Sequence, residues 1–271
     1  MEEQTPKHRS RTSTEPTEES MLSAEIPEEN KSNESTVTDD TTPLTTPKQW
    51  QAEPHYRQSR EVWPGRGRFV LAQFDEDSIV VYQAFRPEIA QYAVQHQKFE
   101  GCPAYNPTRM TWIKTNFLWM MFRANWASRP NQERILAIWL KREAFDGYLE
   151  NARRKGSVRG VQGTVRLQWD PDHFPNGDRH PYRRAVQLGL RGVDTFRDGK
   201  DIVWVEDITG FVQSQAKRAN GKGSLKDTDL LVAKERVYVP GSLLASEAVG
   251  LTLGPHCYAG DQIRNAKIIN Y

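Results

Sequence analysis

The densest cluster of residues suited to ligand binding lies between positions 109 and 139. Four tryptophans lie there and are interleaved with cations: Trp112, Trp119, Trp126 and Trp139 with Arg109, Lys114, Arg123 and Arg134. Aromatic faces next to cations suit a stacked base or nicotinamide whose phosphate is held nearby. Alternatively, the tryptophans form a core and the cations reach past it to solvent. The ligand-binding residues predicted from this cluster are Arg109, Trp112, Lys114, Trp119 and Arg123.

Two further sets of polar residues stand near the ends of predicted strands. Tyr82 and Gln83 lie near the C-terminal end of the strand predicted over residues 79–85, just before a helix, and α/β folds often bind ligands at such ends. Glu206 ends a later strand and could be a catalytic carboxylate. Its neighbour Asp207 is explained as the cap of the next helix, and Gln83 could instead satisfy buried backbone groups.

A third set surrounds the predicted end of another strand. Asp170 and His173 are spaced to pair as a base and the group that orients it. Alternatively, Asp170 before Pro171 is simply a turn residue. Arg184 and Gln187 follow, and we predict that both contact a ligand.

Common catalytic and metal-binding motifs do not occur in this chain. The sequence has no glycine-rich nucleotide fingerprint after a strand, no phosphate-binding loop, no G-x-S-x-G elbow and no H-E-x-x-H. Its six histidines are scattered, and Cys102 and Cys257 fit no metal-ligand spacing. We therefore predict no metal site.

Hydrophobic periodicity predicts the elements that must position these residues. Strands are expected over 79–85, 109–113, 135–140, 164–169, 202–205 and 237–239, helices over 88–97 and 143–154, a buried all-apolar helix over 117–122, and a short helix starting near 207. Residues 182–190 fit either a strand or a helix. Asp170 to His173 should form a turn, 198–201 a hairpin, and 217–229 a mobile loop.

Charge and composition divide the chain of 271 residues into two parts. Residues 1–47 carry 11 Asp and Glu against 4 Lys and Arg, whereas the remainder carries 24 against 33. The first part is rich in Ser, Thr, Glu and Pro and is expected to be disordered, because it has too little apolar area to offset the entropy of ordering. The second, 48–271, is expected to be one globular domain. Its positive charge is ordinary surface charge or the basis for binding a nucleotide or RNA.

The expected location is intracellular, in the cytoplasm or nucleus. The polar start of the chain does not resemble a signal peptide, and no stretch approaches 18 apolar residues. No membrane partner is therefore expected. The sequence does not indicate an oligomeric state.

These patterns together predict an α+β fold. We expect a single compact mixed domain, with a central, largely antiparallel sheet and a buried tryptophan-rich helix, behind a disordered N-terminal tail.

Several sequence blocks resemble an uncharacterised family, domain of unknown function 4291. The blocks are Val81 to Ala84, Arg109 to Lys114, Phe117 to Met121 with Arg123 and Trp126, and Gln132 to Ile138. The resemblance covers roughly residues 67–215. In the family pattern Pro-Ser commonly follows the lysine, whereas Thr115 and Asn116 stand here, which could alter the helix start. The resemblance implies a domain boundary and no mechanism.

The arrangement around Tyr82 also resembles the opening strand and helix of ADP-ribosyltransferase-like folds. On that resemblance, Gln83 and Glu206 would be catalytic, Trp112 or Trp119 would contact the nicotinamide, and NAD would be the cofactor. Gln83 stands where Arg or His is usual. The alternatives are an RNA or polyanion-binding module without catalysis, and a structural or interaction protein. An enzyme should gather its residues around a pocket, whereas an RNA-binding module should spread its cations along an open groove.

Overall fold

The computed structural model describes residues 47–154, 164–219 and 230–252, which lie in one compact unit, Leu44–Tyr271. The predicted tail, apart from Pro47, lies outside the described residues. The strands of the described part are β1 (Ala52–Pro54), β2 (Gly67–Arg68), β3 (Val70–Ala72), β4 (Ser78–Phe85), β5 (Thr111–Lys114), β6 (Arg134–Lys141), β7 (Ala152–Arg154), β8 (Thr164–His173), β9 (Arg179–Arg191), β10 (Ile202–Asp207), β11 (Leu231–Ala233) and β12 (Arg236–Tyr238). Its helices are α1 (His55–Arg57), α2 (Pro87–His96), α3 (Phe117–Ala124), α4 (Arg142–Glu150), α5 (Asp194–Arg197), α6 (Thr209–Ala219) and α7 (Leu243–Val249).

An eight-stranded mixed sheet organises this domain, and the fold is α+β as predicted. Seven strands follow the order β10-β6-β4-β5-β9-β8-β7, and β2 pairs with β9. Pairing is antiparallel except for β7 with β8 and β2 with β9. Two small two-stranded sheets pair strands from the two ends of the described part, β1 with β11 and β3 with β12. We call residues 50–68, which precede β3, the lead-in.

The main sheet is covered on both faces, which explains the continuous apolar runs of β4 and β6. On one face, apolar side chains of α2, α4 and α7 pack in one core cluster with Val81 and Ile138. On the other face, α3, α6 and Trp63 of the lead-in pack with Tyr82 and Ala137. Trp63 is buried, and its indole Nε1 donates to the carbonyl oxygen of Glu235, so this residue fixes the lead-in against the domain.

Helix α3 is the predicted buried helix, and its start is well defined. The Asn116 side chain accepts a hydrogen bond from the Trp119 backbone amide at 2.7 Å. Asn116 therefore caps the helix as a serine would, and the departure from the family pattern leaves the helix start intact.

Three local predictions were wrong. The helix predicted over 143–154 ends at Glu150, because Ala152 is buried in β7 and pairs with β8. The turn predicted after Trp169 is instead the continuation of β8, which tolerates Pro171 because β7 pairs only as far as Leu167 and leaves that edge of β8 unpaired.

The third concerns residues 198–201, which connect α5 to β10 and do not form a hairpin, since β10 pairs with β6. Residues 182–190, which fit either a strand or a helix, lie within β9 (Arg179–Arg191). Of the predicted loop 217–229, residues 217–219 end α6 and 220–229 lie outside the described residues.

Candidate functional site

A row of directly opposed residues crosses the main sheet next to several predicted site residues. From β10 to β8 the row consists of Glu206, Ala137, Tyr82, Lys114, Gln187 and Gln168. Directly opposed residues project from the same face of a sheet. Tyr82 and Ala137 pack in the α3 cluster, so the whole row lies on the α3 face.

Lys114 is the buried cation of this row. Its side chain is only 5% exposed. The ammonium Nζ donates to the carbonyl oxygen of Trp112 at 2.9 Å and lies 4.8 Å from the ring centroid of Trp119. Among the described residues, no carboxylate lies within ion-pair distance of Nζ. A lysine has three N–H donors, so most of this hydrogen-bonding capacity is unused by the described part of the chain.

This environment favours the neutral amine. Burial lowers the pKa of Lys114 to about 7; repulsion from Arg123 adds to the decrease, and attraction to Asp170 opposes it. Near pH 7 roughly half of the side chain is therefore neutral. A neutral lysine amine has a free electron pair and can act as a nucleophile or a base.

Asp170 is the carboxylate whose charge acts on the Lys114 amine, and both of its side-chain oxygens accept hydrogen bonds. Oδ1 accepts from Nε2 of Gln168 at 2.8 Å, and Oδ2 accepts from Nε2 of Gln187 at 2.5 Å. The carboxylate is thereby held in one orientation on the sheet. It does not make the predicted pair with His173, whose two ring nitrogens have no hydrogen-bond partner among the described residues.

Buried polar groups without partners continue from Lys114 towards the surface. The Trp119 indole Nε1 has no hydrogen-bond partner in the described part of the chain, and Trp119 is only 7% exposed. Its ring meets His173 edge-on at 6.4 Å, and His173 stacks on Phe122 at 3.9 Å. Burial lowers the pKa of His173, which keeps the ring neutral. Each such group costs about 1–3 kcal/mol unless water, an ion or a ligand satisfies it.

Arg109 and Arg123 place positive charge next to this group. Both side chains are exposed. Burial, followed by repulsion from Arg129 and Arg109, lowers the pKa of Arg123, so the three guanidinium groups lie close together. Clustered exposed guanidinium groups suit a phosphate.

Trp112 lies on the same face as Lys114, two residues back along β5, and is half-buried. It is directly opposite Gly189 on β9. The structure therefore brings together Arg109, Trp112, Lys114, Trp119, Arg123 and Gln187 from the predicted set.

It does not bring Gln83 and Glu206 to this group. Gln83 follows Tyr82 in β4, and successive side chains of a strand alternate, so Gln83 projects from the opposite face. Glu206 lies on the α3 face, but three strand spacings, roughly 14 Å, separate it from Lys114. Burial raises the pKa of Glu206, and the Trp50 backbone amide opposes this. The two residues predicted as a catalytic pair thus lie on different faces.

Two predicted binding residues occupy other places. Tyr82 is fully buried, and its hydroxyl accepts from the Trp50 indole Nε1 at 3.0 Å. It therefore belongs to the core beneath the site. Arg184 is three residues before Gln187 in β9 and so projects from the opposite face.

Sequence reasoning missed Glu235, which is fully buried. Its Oε1 accepts from the Phe117 backbone amide at 2.6 Å, at the start of α3. Burial raises the pKa of Glu235 well above its ordinary value. These residues are 118 positions apart in the chain, so no local pattern could have revealed the contact.

Other features of the described residues lie away from Lys114. A cavity of about 300 Å³ is lined by residues that include Lys48, Gln73 and Trp139. In the described ranges no His, Cys, Asp or Glu side chains are grouped to hold a metal ion. Within the same ranges, no helix is long and apolar enough to cross a membrane.

Comparison with known families supports the resemblance noted in the sequence. The family model described as a domain of unknown function, DUF4291, matches residues 69–238. The chain belongs to this family. No curated protein matches it.

Proposed function

We propose that this member of the DUF4291 family is a nucleotide-directed enzyme in which the amine of Lys114 is the reacting group. The observation that carries the proposal is a buried amine that has one backbone acceptor and no ion pair among the described residues. A structural lysine would expose its ammonium or pair it, because burying an unpaired charge is costly. Burial instead supports a reactive neutral amine.

The proposed reaction is attack by Nζ on an electrophilic atom of a bound nucleotide. With NAD, an N–C bond to the ribose forms, the glycosidic bond breaks and nicotinamide leaves. With a nucleoside triphosphate, an N–P bond forms and pyrophosphate leaves. In both cases the neutral amine attacks and the nitrogen of the new bond then releases a proton to solvent; the low pKa of Lys114 supplies the neutral amine near neutral pH.

The surrounding residues have matching roles in this proposal. Arg109 and Arg123 would hold the phosphates, since both are exposed cations, Arg123 acts on Lys114, and Arg109 acts on Arg123. Trp112 would provide an aromatic surface for the base or the nicotinamide. NAD stays a candidate cofactor, while the reacting role predicted for Gln83 and Glu206 passes to Lys114, because those two side chains lie on different faces of the sheet.

The test is intact-mass spectrometry of the full chain after incubation with NAD, ATP or GTP. We expect a mass increase of one ADP-ribosyl or one nucleotidyl group, located on Lys114 by peptide mapping. Lys114→Arg keeps the charge but has no accessible neutral form, so it should acquire no adduct. The exposed Lys200→Arg variant is the matched control and should react as the wild type does.

A second variant separates binding from reaction. Arg109→Ala should weaken nucleotide binding yet leave the melting temperature within a few degrees, because Arg109 is exposed and its guanidinium makes no hydrogen bond or ion pair with the described residues. A wild-type chain that forms no adduct and binds none of the three nucleotides would refute the proposal. Binding of RNA alone, without adduct or turnover, would instead favour the non-catalytic binding module.

This proposal is compatible with an intracellular location, in the cytoplasm or nucleus, where NAD and nucleoside triphosphates occur. Cys102 is a free, buried cysteine, as is common in reducing compartments.

A further inference from the structure

We infer that the substrate of the Lys114 site is a single-stranded nucleic acid, held on the neighbouring part of the sheet through Trp112 and a row of arginines. The inference rests on the proposed function, because it names the substrate class of the same site. The observation that supports it is the register of four adjacent strands, β5, β9, β8 and β7.

A second row of directly opposed residues runs beside the Lys114 row. From β5 to β7 it consists of Trp112, Gly189, Arg166 and Arg153. Trp112 is two residues from Lys114 along β5, so the two rows share a face and lie roughly 7 Å apart. Three strand spacings, roughly 14 Å, separate Trp112 from Arg153.

Gly189, in the middle of this row, has no side chain, so neighbouring side chains can lie against its backbone. A Cβ added there would lie 2.6 Å from Sδ of Met110 and 3.0 Å from the Trp112 ring. The indole and the thioether therefore lie directly over the glycine backbone, where any larger residue would displace them. A half-exposed indole on a sheet surface is the kind of platform on which unpaired bases stack.

The arginines around this platform are available for phosphates. The guanidinium groups of Arg109, Arg166 and Arg191 make no hydrogen bond or ion pair with the part of the chain that the structure describes. Arg191 is two residues from Gly189 in β9 and so belongs to the same face. Among the described residues, Arg153 donates only to backbone carbonyl oxygens, those of Glu150 and Ala152.

In the ranges that the structure describes, no carboxylate forms an ion pair with these arginines. On this face of β8, Asp170 is bonded to two glutamine side chains, and the next carboxylate, that of Asp172, is paired with buried Arg183. Positive charge spread over several strands exceeds what one mononucleotide can contact. It matches successive phosphates of a strand that passes Lys114.

Single strands are favoured over duplexes by the stacking surface. A base can lie on Trp112 only when it is free of its neighbours in a helix. RNA and single-stranded DNA share the phosphates and the base faces that this surface contacts, so both belong to the inferred class.

The experiment is fluorescence anisotropy of the full chain with a short labelled single strand, as RNA and as DNA, and with the matching duplex, at two salt concentrations. Single strands should bind more tightly than the duplex, and their affinity should fall as salt rises. Comparison of the RNA and DNA strands shows which of the two is preferred.

Two variants test the two halves of the surface. Trp112→Ala should weaken single-strand binding about tenfold or more, and Trp112→Phe should restore most of the loss. Arg166→Ala should weaken binding uniformly across sequences and lower the salt dependence by about one charge. Leu244→Ala and Lys200→Ala, at exposed positions on other elements, are controls that should leave the affinity unchanged.

Two readouts on the wild-type chain separate this inference from the proposed function: the affinity for single strands, and adduct formation on Lys114. Single-strand binding without any adduct would refute the lysine chemistry and leave the surface assignment standing. Adduct formation by a chain that binds single strands no better than duplexes would overturn the surface assignment. Unchanged affinity in Trp112→Ala and Arg166→Ala would overturn it as well.

Discussion

The ammonium Nζ of Lys114 lies 4.8 Å from the ring centroid of Trp119, and no described carboxylate pairs with it. An indole face attracts a cation less strongly than a buried carboxylate would, and it is available to a neutral amine as well. The charged and neutral forms of Lys114 are consequently close in free energy near neutral pH. Its position explains why a lysine in a tryptophan-rich segment can have a lowered pKa.

The burial of Lys114 should make stability depend on pH. The folded pKa of about 7 is below the ordinary value of 10.5, so the unfolded chain binds more protons between these values, and the free energy of unfolding rises with pH there. Lys114→Met does not titrate. Below about pH 7 the variant should be more stable than the wild type, and the difference should shrink by about 1.4 kcal/mol per pH unit above it. Urea unfolding from about pH 6 to pH 9 measures this difference.

Lys200→Met provides the control for that series. Lys200 is exposed, and hydrogen bonding to Asp198 raises its pKa, so it does not titrate in this range. Its difference from the wild type should be constant with pH. A constant difference for Lys114→Met would contradict the lowered pKa.

Glu235 should take up its proton at a higher pH than an ordinary glutamate does. Burial raises its pKa well above 4.5, so its contribution to stability is present below about pH 4.5 and is lost as pH rises towards the folded pKa. Glu235→Gln keeps an acceptor for the Phe117 amide and removes the titration. The variant should gain stability relative to the wild type between about pH 5 and pH 7, as measured by chemical denaturation.

Glu235→Ala is the contrasting change. It removes the acceptor of the Phe117 amide and leaves a cavity. The free energy of unfolding should therefore fall by about 2–4 kcal/mol at both pH 5 and pH 7. Similar stabilities for Gln and Ala at position 235 would show that the hydrogen bond to Phe117 contributes little.

Gly189 should not tolerate a side chain. Gly189→Ala places a Cβ against Met110 and Trp112 and should destabilise the fold by about 1–3 kcal/mol while shifting tryptophan fluorescence. Gly147→Ala is the matched control, because no atom lies within 4 Å of its Cβ position in α4. It should stabilise the protein by up to about 1 kcal/mol. Thermal unfolding of both variants, read by circular dichroism, compares the two glycines directly.

The cap of α3 should be replaceable by the residue that the family pattern favours. Asn116→Ala removes the acceptor of the Trp119 amide and should cost about 1 kcal/mol. Asn116→Ser should stay within a few tenths of the wild type, because serine accepts the same bond. Equal losses for Ala and Ser in urea unfolding would show that the side-chain cap does not stabilise α3.

Much of this fold could be read from the chain because its determinants are local. The β-branched and aromatic run of β4, the small apolar residues of α2 and the all-apolar α3 each carry their own periodicity. The charge and aromatic content of residues 109–123 likewise placed five of the ten predicted site residues in one region. Burial and period are properties of neighbouring residues, so a linear pattern contains them.

The tertiary structure alone decided which of these residues meet. Register sets Lys114 opposite Gln187 and Trp112 opposite Gly189, whereas Gln83, one residue from Tyr82, lies on the other face. A shift of one residue reverses the face of every side chain in a strand, and pairing between distant strands depends on the packing of the whole sheet. The amine of Lys114 therefore has its low pKa because of neighbours from other strands and from α3, which no local pattern specifies.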